Sequence, residues 1–115
     1  MTKEANKIWY AIYVRSRHEK AVYGALTEKG IRCTLPLTEK LRKWSDRTKK
    51  VQEPLFRGYV FVCIDLTGDK LEVLKTDGVV KFVGIGSDPS PIPDKQIHWI
   101  KILANEPGTV LVKEY

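Results

Sequence analysis

Residues Pro54–Ile64 read PLFRGYVFVCI. The stretch is apolar enough for a central strand, yet Phe56, Tyr59 and Phe61 share it with the fixed charge of Arg57. Over residues 58–64 a period of two sends Tyr59, Phe61 and Cys63 to one face and Val60, Val62 and Ile64 to the other. The aliphatic face is a natural seat for a helix. The ring-rich face is either covered by a later helix or left for a partner.

Upstream, IWYAIYV (8–14) alternates in the same way. Tyr10, Ile12 and Val14 match the aliphatic set, which leaves Trp9, Ala11 and Tyr13 for the other face. Ser16 then precedes RHEKAVYGALTEKG, with Glu19 three residues on, the spacing of a capping box. Ala21, Val22, Ala25 and Leu26 form a helical stripe and Gly30 a stop, so a helix is predicted over about 17–29. IRCTLP reads as a short strand ended by Pro36. KLRKWSDRTKK (40–50) has a turn-like centre at Ser45–Asp46, which fits a protruding β-hairpin or a disordered loop of the same length.

Downstream, TGDKLEVLKTDG suggests a short helix with Leu71 and Leu74 inward and Gly78 as its stop. VVKFVGI is a further strand and GSDPSPIP a Pro-rich turn. Pro93 then opens a last helix whose apolar face is Ile97, Ile100 and Leu103. This order predicts an α+β fold: a ferredoxin-like split βαβ antiparallel sheet with a basic β-hairpin or loop inserted, and strands 8–14 and 58–64 adjacent at its centre. A chain of 115 residues suits one domain, assigned to residues 1–104. Residues 105–115, with Pro-Gly and an extended apolar piece, are expected to begin a linker toward a further domain.

The charge is localised. Lys40, Arg42, Lys43, Arg47, Lys49 and Lys50 face a single acid, Asp46, so this stretch holds all but one unit of the net charge of +6. Such a run is either a solvated loop or the footprint of a polyanion contact. Arg15, Arg17, His18 and Lys20 form a second basic group at the start of the first helix, where backbone N–H groups also favour an anion. That group reads equally as a solvated helix start.

Other classes find little support. His18 and His98 have no metal-ligand spacing, GIGSDP (84–89) lacks a phosphate-loop lysine, and no nucleophile elbow occurs. The chain is therefore read as a non-enzyme with no cofactor, no metal and no small-molecule substrate. No apolar run approaches the ~20 residues of a membrane span, and MTKEANK lacks a signal-peptide core. Cys33 and Cys63 read as buried reduced thiols, and the expected location is cytoplasmic.

Two resemblances bear on the ring-rich strand. RGYVFVCI matches six of eight positions of the third-strand signature of RNA recognition motifs, failing at Val60 and Ile64. That likeness implies a single-stranded RNA-binding module. The second covers the whole chain: WYAIYVRSRHEK, PLFRGYVFV, VLKTDGVVKFVG, a Pro-rich turn and a final helix resemble, in order and spacing, the N-terminal (NGN) domain of NusG-type transcription elongation factors. Within that family the chain is most similar to specialised antiterminators of the RfaH and UpxY types, and it has Arg57 where the family usually has proline.

The NusG resemblance implies docking on the clamp helices of the largest RNA polymerase subunit, with Tyr13, Phe56, Tyr59 and Phe61 at the family's hydrophobic contact positions. It implies that Arg15, with Arg17, His18 and Lys20, faces the non-template DNA strand. The hairpin cations Arg42, Lys43, Arg47, Lys49 and Lys50 would reach upstream duplex DNA, with Trp44 as a tip. A KOW domain is expected beyond Tyr115.

Overall fold

The structure, a computed structural model, describes residues 7–44 and 46–105. In chain order the elements are β1 (Ile8–Val14), α1 (Glu19–Glu28), β2 (Arg32–Thr34), β3 (Leu37–Trp44), β4 (Arg47–Pro54), β5 (Tyr59–Ile64), α2 (Leu66–Leu74), β6 (Val79–Phe82), β7 (Gly84–Ile85), β8 (Asp88–Pro89) and α3 (Asp94–Asn105). The two alternating stretches pair antiparallel, from Ile8↔Ile64 to Tyr13↔Tyr59. β2 flanks β5 and β6 flanks β1, giving the order β2-β5-β1-β6. This is the predicted α+β arrangement with an antiparallel sheet. β3 and β4 pair over their whole length as a separate ribbon, so the basic stretch is a hairpin and not a loop.

Both faces of the sheet sort as the alternation requires. Tyr10, Ile12, Val14, Val60, Val62 and Ile64 pack with Val22 and Leu26 of α1 and Val73 of α2 in one core. Each such aliphatic side chain contributes about 1.5–3 kcal/mol on full burial. Trp9, Ala11, Phe61 and Cys63 form a second core, closed by Ile97 of α3. Ile92 fixes where that helix begins, since its N–H donates to Trp9 O at 2.8 Å.

Several local expectations are corrected. Ser16 does not cap α1: the N-cap is His18, without a side-chain cap bond. Glu19, the first helical residue, is buried, and its Oε2 accepts the Gly58 N–H at 2.7 Å. A tertiary partner has taken the carboxylate that a capping box would use. Leu71 points outward at 69% exposure, because α2 begins at its Asp65 cap and turns Leu66 and Val73 toward the core instead. The strand expected over 79–85 ends at Phe82. Gly84 and Ile85 pair instead with Pro89 and Asp88, within the stretch read as a plain turn.

The two cysteines are not joined, and the register explains it. Cys33 stands opposite Val62 and Arg32 opposite Cys63, so the thiols lie on opposite faces of neighbouring strands. Cys33 is only half-buried; burial pushes its thiol up, against a smaller lowering by Thr27. Asn105, expected to begin the linker, is the last residue of α3, and the Trp44 and Asn105 side chains, Ser45 and residues 106–115, the rest of that linker, lie outside the described residues.

Candidate functional site

At the Tyr13 end of the central strands the rings gather. Tyr13 and Tyr59 are cross-strand partners with centroids 5.0 Å apart and planes tilted by 42°. Phe56 meets Phe61 edge-on at 5.9 Å. Lys81 of β6 holds its Nζ 5.5 Å from the centre of the Tyr13 ring. The Tyr13 hydroxyl, and secondarily partial burial, hold the Tyr59 phenol above the ordinary tyrosine range.

The four rings differ in access. Phe56 is 38% exposed and the two tyrosines are half-buried, whereas Phe61 is sealed at 6% beneath α3. The expectation of an uncovered four-ring face is corrected to a surface of three rings resting on a fourth. Phe61 spans both roles, since it packs against Ile97 while its ring buttresses Phe56.

Beside this surface the chain turns from β1 into α1, and two glycines hold the turn. Val14 N–H donates to Gly58 O at 2.9 Å, and Arg15 N–H to Gly78 O at 2.8 Å. Gly78 has φ +98°, and a Cβ there would lie 2.8 Å from Val22 Cγ2, so any side chain at this position is strained. Arg17 itself has φ +66°, a left-handed conformation that costs an L-residue roughly 1–2 kcal/mol. The turn leaves Arg15, Arg17 and Lys20 exposed and His18 half-buried, with His18 Nδ1 3.0 Å from Ser16 O. Lys20 reaches across to donate to Gln52 O at 3.0 Å, tying the turn to β4.

The hairpin divides into a neutralised base and a charged outer end. Glu53 accepts from Arg42 Nε at 2.8 Å, with a second contact from the same guanidinium. Lys40 and Arg57 approach its other oxygen at 3.6 and 3.5 Å. Hydrogen bonding to Arg42 is the largest reason that the Glu53 carboxyl lies below the usual range; burial opposes it, and the charges of Arg42, Lys40 and Arg57 assist. Arg42 is therefore engaged, while Lys43, Arg47, Lys49 and Lys50 are exposed, with no ion pair among the described residues. An open cleft of roughly 1040 Å³ separates the turn from the hairpin base, edged by Arg17, Lys20, Arg42 and Arg57.

A sequence profile for the family described as transcription termination factor nusG matches residues 7–101. The chain belongs to the NusG family. Among curated relatives it is 31% identical over 104 residues to the transcription termination/antitermination protein NusG of Halalkalibacterium halodurans, spanning 79% of this chain and 58% of that one. The NusG of Staphylococcus epidermidis is 31% identical over 107 residues, spanning 82% and 59%. A solved structure concerning domain interaction in Thermotoga maritima NusG superposes with a TM-score of 0.62 at 26% identity, over 88% of this chain and 59% of that one. The chain thus spans a little under three fifths of the length of these relatives. NusG-family proteins are transcription factors and not enzymes.

The structure also brings to this NusG-family surface residues that sequence reasoning passed over. Glu53 became visible as a hub only with the register, which sets it opposite Thr38 and two positions along the ladder from Lys40. Lys81 stands opposite Tyr13, a pairing that needs the β1–β6 register. Gly58 had a usable signal, as a glycine just ahead of a strand, but its bonds to β1 and Glu19 are tertiary. Among the described residues no three His, Cys, Asp or Glu side chains gather to hold a metal ion.

Proposed function

We propose that this domain docks on RNA polymerase, at the clamp helices of the largest subunit, through Tyr13, Phe56 and Tyr59 with Phe61 beneath them, and contacts DNA in the transcription bubble. The observation that carries this reading is the half-open ring surface at one end of β1 and β5, where Tyr13 and Tyr59 are only half-buried and Phe56 is exposed. Tyrosine suits such an interface, because it buries a large area with few rotors and keeps a hydroxyl for the polar rim.

The basic groups flank the rings in the manner a bubble contact needs. Arg15, Arg17, His18 and Lys20 lie at the exit of β1, immediately beyond Tyr13, and face the non-template strand. Lys43, Arg47, Lys49 and Lys50 extend along the hairpin toward upstream duplex DNA, where phosphate contacts give affinity without sequence choice. Arg42 serves the hairpin's own Glu53 first. Held across the cleft in this way, the factor favours the closed clamp by differential binding and suppresses pausing or termination. The assignment to a specialised antiterminator, and a cytoplasmic location, belong to the same proposal. No helix among the described residues is long and apolar enough to cross a membrane.

Recovery of polymerase on immobilised domain tests the reading. Tyr13→Ala and Tyr59→Ala should each reduce recovery strongly while the domain stays folded; recovery equal to wild type would remove the ring surface from the proposal. The RNA recognition motif reading is disfavoured by Phe61, whose ring is sealed under α3 and unable to stack a base.

A further inference from the structure

A second cleft, of about 500 Å³, lies at the opposite end of β1 and β5 from the ring surface, and Lys7, Trp9, Arg32, Asp94, His98 and Lys101 are on its lining. We propose that this cleft binds phosphate groups of a single-stranded nucleic acid, independently of the β3–β4 hairpin and of the turn into α1. The choice of a nucleic acid over another phosphate source rests on the transcription reading above.

Charge is the first argument. Lys7, Arg32 and Lys101 line the cleft against one acid, Asp94, and none of the three forms an ion pair among the described residues. Elsewhere on the domain Lys29, Lys40, Arg42, Arg57 and Lys75 each reach a glutamate. As at the outer end of the hairpin, the cations here have no ion-pair partner among the described residues, and an anion between them turns mutual repulsion into attraction.

Geometry is the second. The Arg32 guanidinium carbon and Lys101 Nζ each lie 5.3 Å from the centre of the Trp9 ring, so the two charged heads are within twice that distance of each other. They come from different elements, Arg32 from β2 and Lys101 from α3. The Arg32↔Cys63 pairing and the packing of Ile97 fix those elements on the same face. Cation–π contact with the indole restrains heads that would otherwise wander.

The indole also restricts the ligand. Trp9 is 4% exposed, so no base can stack on it. What remains for a ligand, beside Asp94 and His98, is a guanidinium fork and ammonium donors, groups suited to phosphate oxygens. Contacts of this kind to phosphate carry no sequence choice. From Trp9 to Arg15 the strand rise gives roughly 20 Å, which makes this a site separate from the basic turn.

Titration of the ¹⁵N-labelled chain with a short single-stranded oligonucleotide tests this, with inorganic pyrophosphate as a parallel arm. The signals of the Trp9 indole N–H and of the amide of Gly30, which also lines the cleft, should shift saturably with the oligonucleotide. Arg32→Ala/Lys101→Ala should weaken that titration about tenfold and make its salt dependence shallower by one to two counterions. Hairpin amide shifts and melting temperature should be preserved. Three results would overturn the site: Trp9 and Gly30 signals that stay still while hairpin signals move, a double variant that titrates like wild type, or pyrophosphate acting at the same phosphate concentration as the oligonucleotide. The titration contains no polymerase, so its failure leaves the docking proposal standing, and a failed polymerase recovery leaves this site standing.

Discussion

β1 and β5 run side by side, and their two ends meet opposite fates. At the Trp9↔Cys63 end the ring-rich face is closed by α3, and Trp9 becomes core. At the Tyr13↔Tyr59 end the same face, on the same strands, holds two half-buried tyrosines and the exposed Phe56. Residue type does not separate the ends, since both carry aromatics with the same alternation. Position of the helix does: the Ile92–Trp9 backbone bond starts α3 over the first end, and Ile97 packs there. A ring is core or interface according to where a distant helix is pinned.

The widest separation between the two ends should come from Trp9→Ala. Removing this ring should cost about 3–5 kcal/mol of stability, read as a large fall in melting temperature. A loss below 1 kcal/mol would mean that the closed end is not closed. Gly78→Ala probes the frame under the open end. The left-handed conformation and the 2.8 Å approach to Val22 together should cost on the order of 2 kcal/mol or more, and unchanged stability would show that the turn yields easily.

Tyr59→Ala inverts the pattern. Polymerase binding should weaken by about 2 kcal/mol with little change in denaturation midpoint, and a stability loss as large as that of Trp9→Ala would make Tyr59 core. Glu53→Gln gives the smallest and most conditional effect. The Glu53 carboxyl titrates below the ordinary glutamate range in the folded chain, so its stabilisation is complete above the unfolded value and disappears as pH falls through the folded one. Melting curves should show the variant slightly less stable at neutral pH and equal to wild type in acid. A constant gap across that range would remove the Arg42–Glu53 contact as its cause.

Much of this was legible in the chain. Alternation in IWYAIYV and YVFVCI set both faces, the order of elements set their adjacency, and a hairpin was one of two readings of KLRKWSDRTKK. The misses share a cause. Glu19 left its capping role for Gly58 and Phe61 went under α3, each through a contact between residues distant in sequence, and Leu71 turned out to solvent because burial of Val73 set the face of α2. Local pattern states which groups seek burial or a partner; it does not state which partner arrives.

What the sequence determined by itself is the two-faced central sheet, the three helices and the place of the charge, because period, punctuation and composition act within a few residues. The tertiary structure alone decided which rings remain open, which cations Glu53 neutralises and where uncompensated cations meet around Trp9. Those outcomes depend on register and helix placement, and both are set by free energies of packing summed over the whole domain.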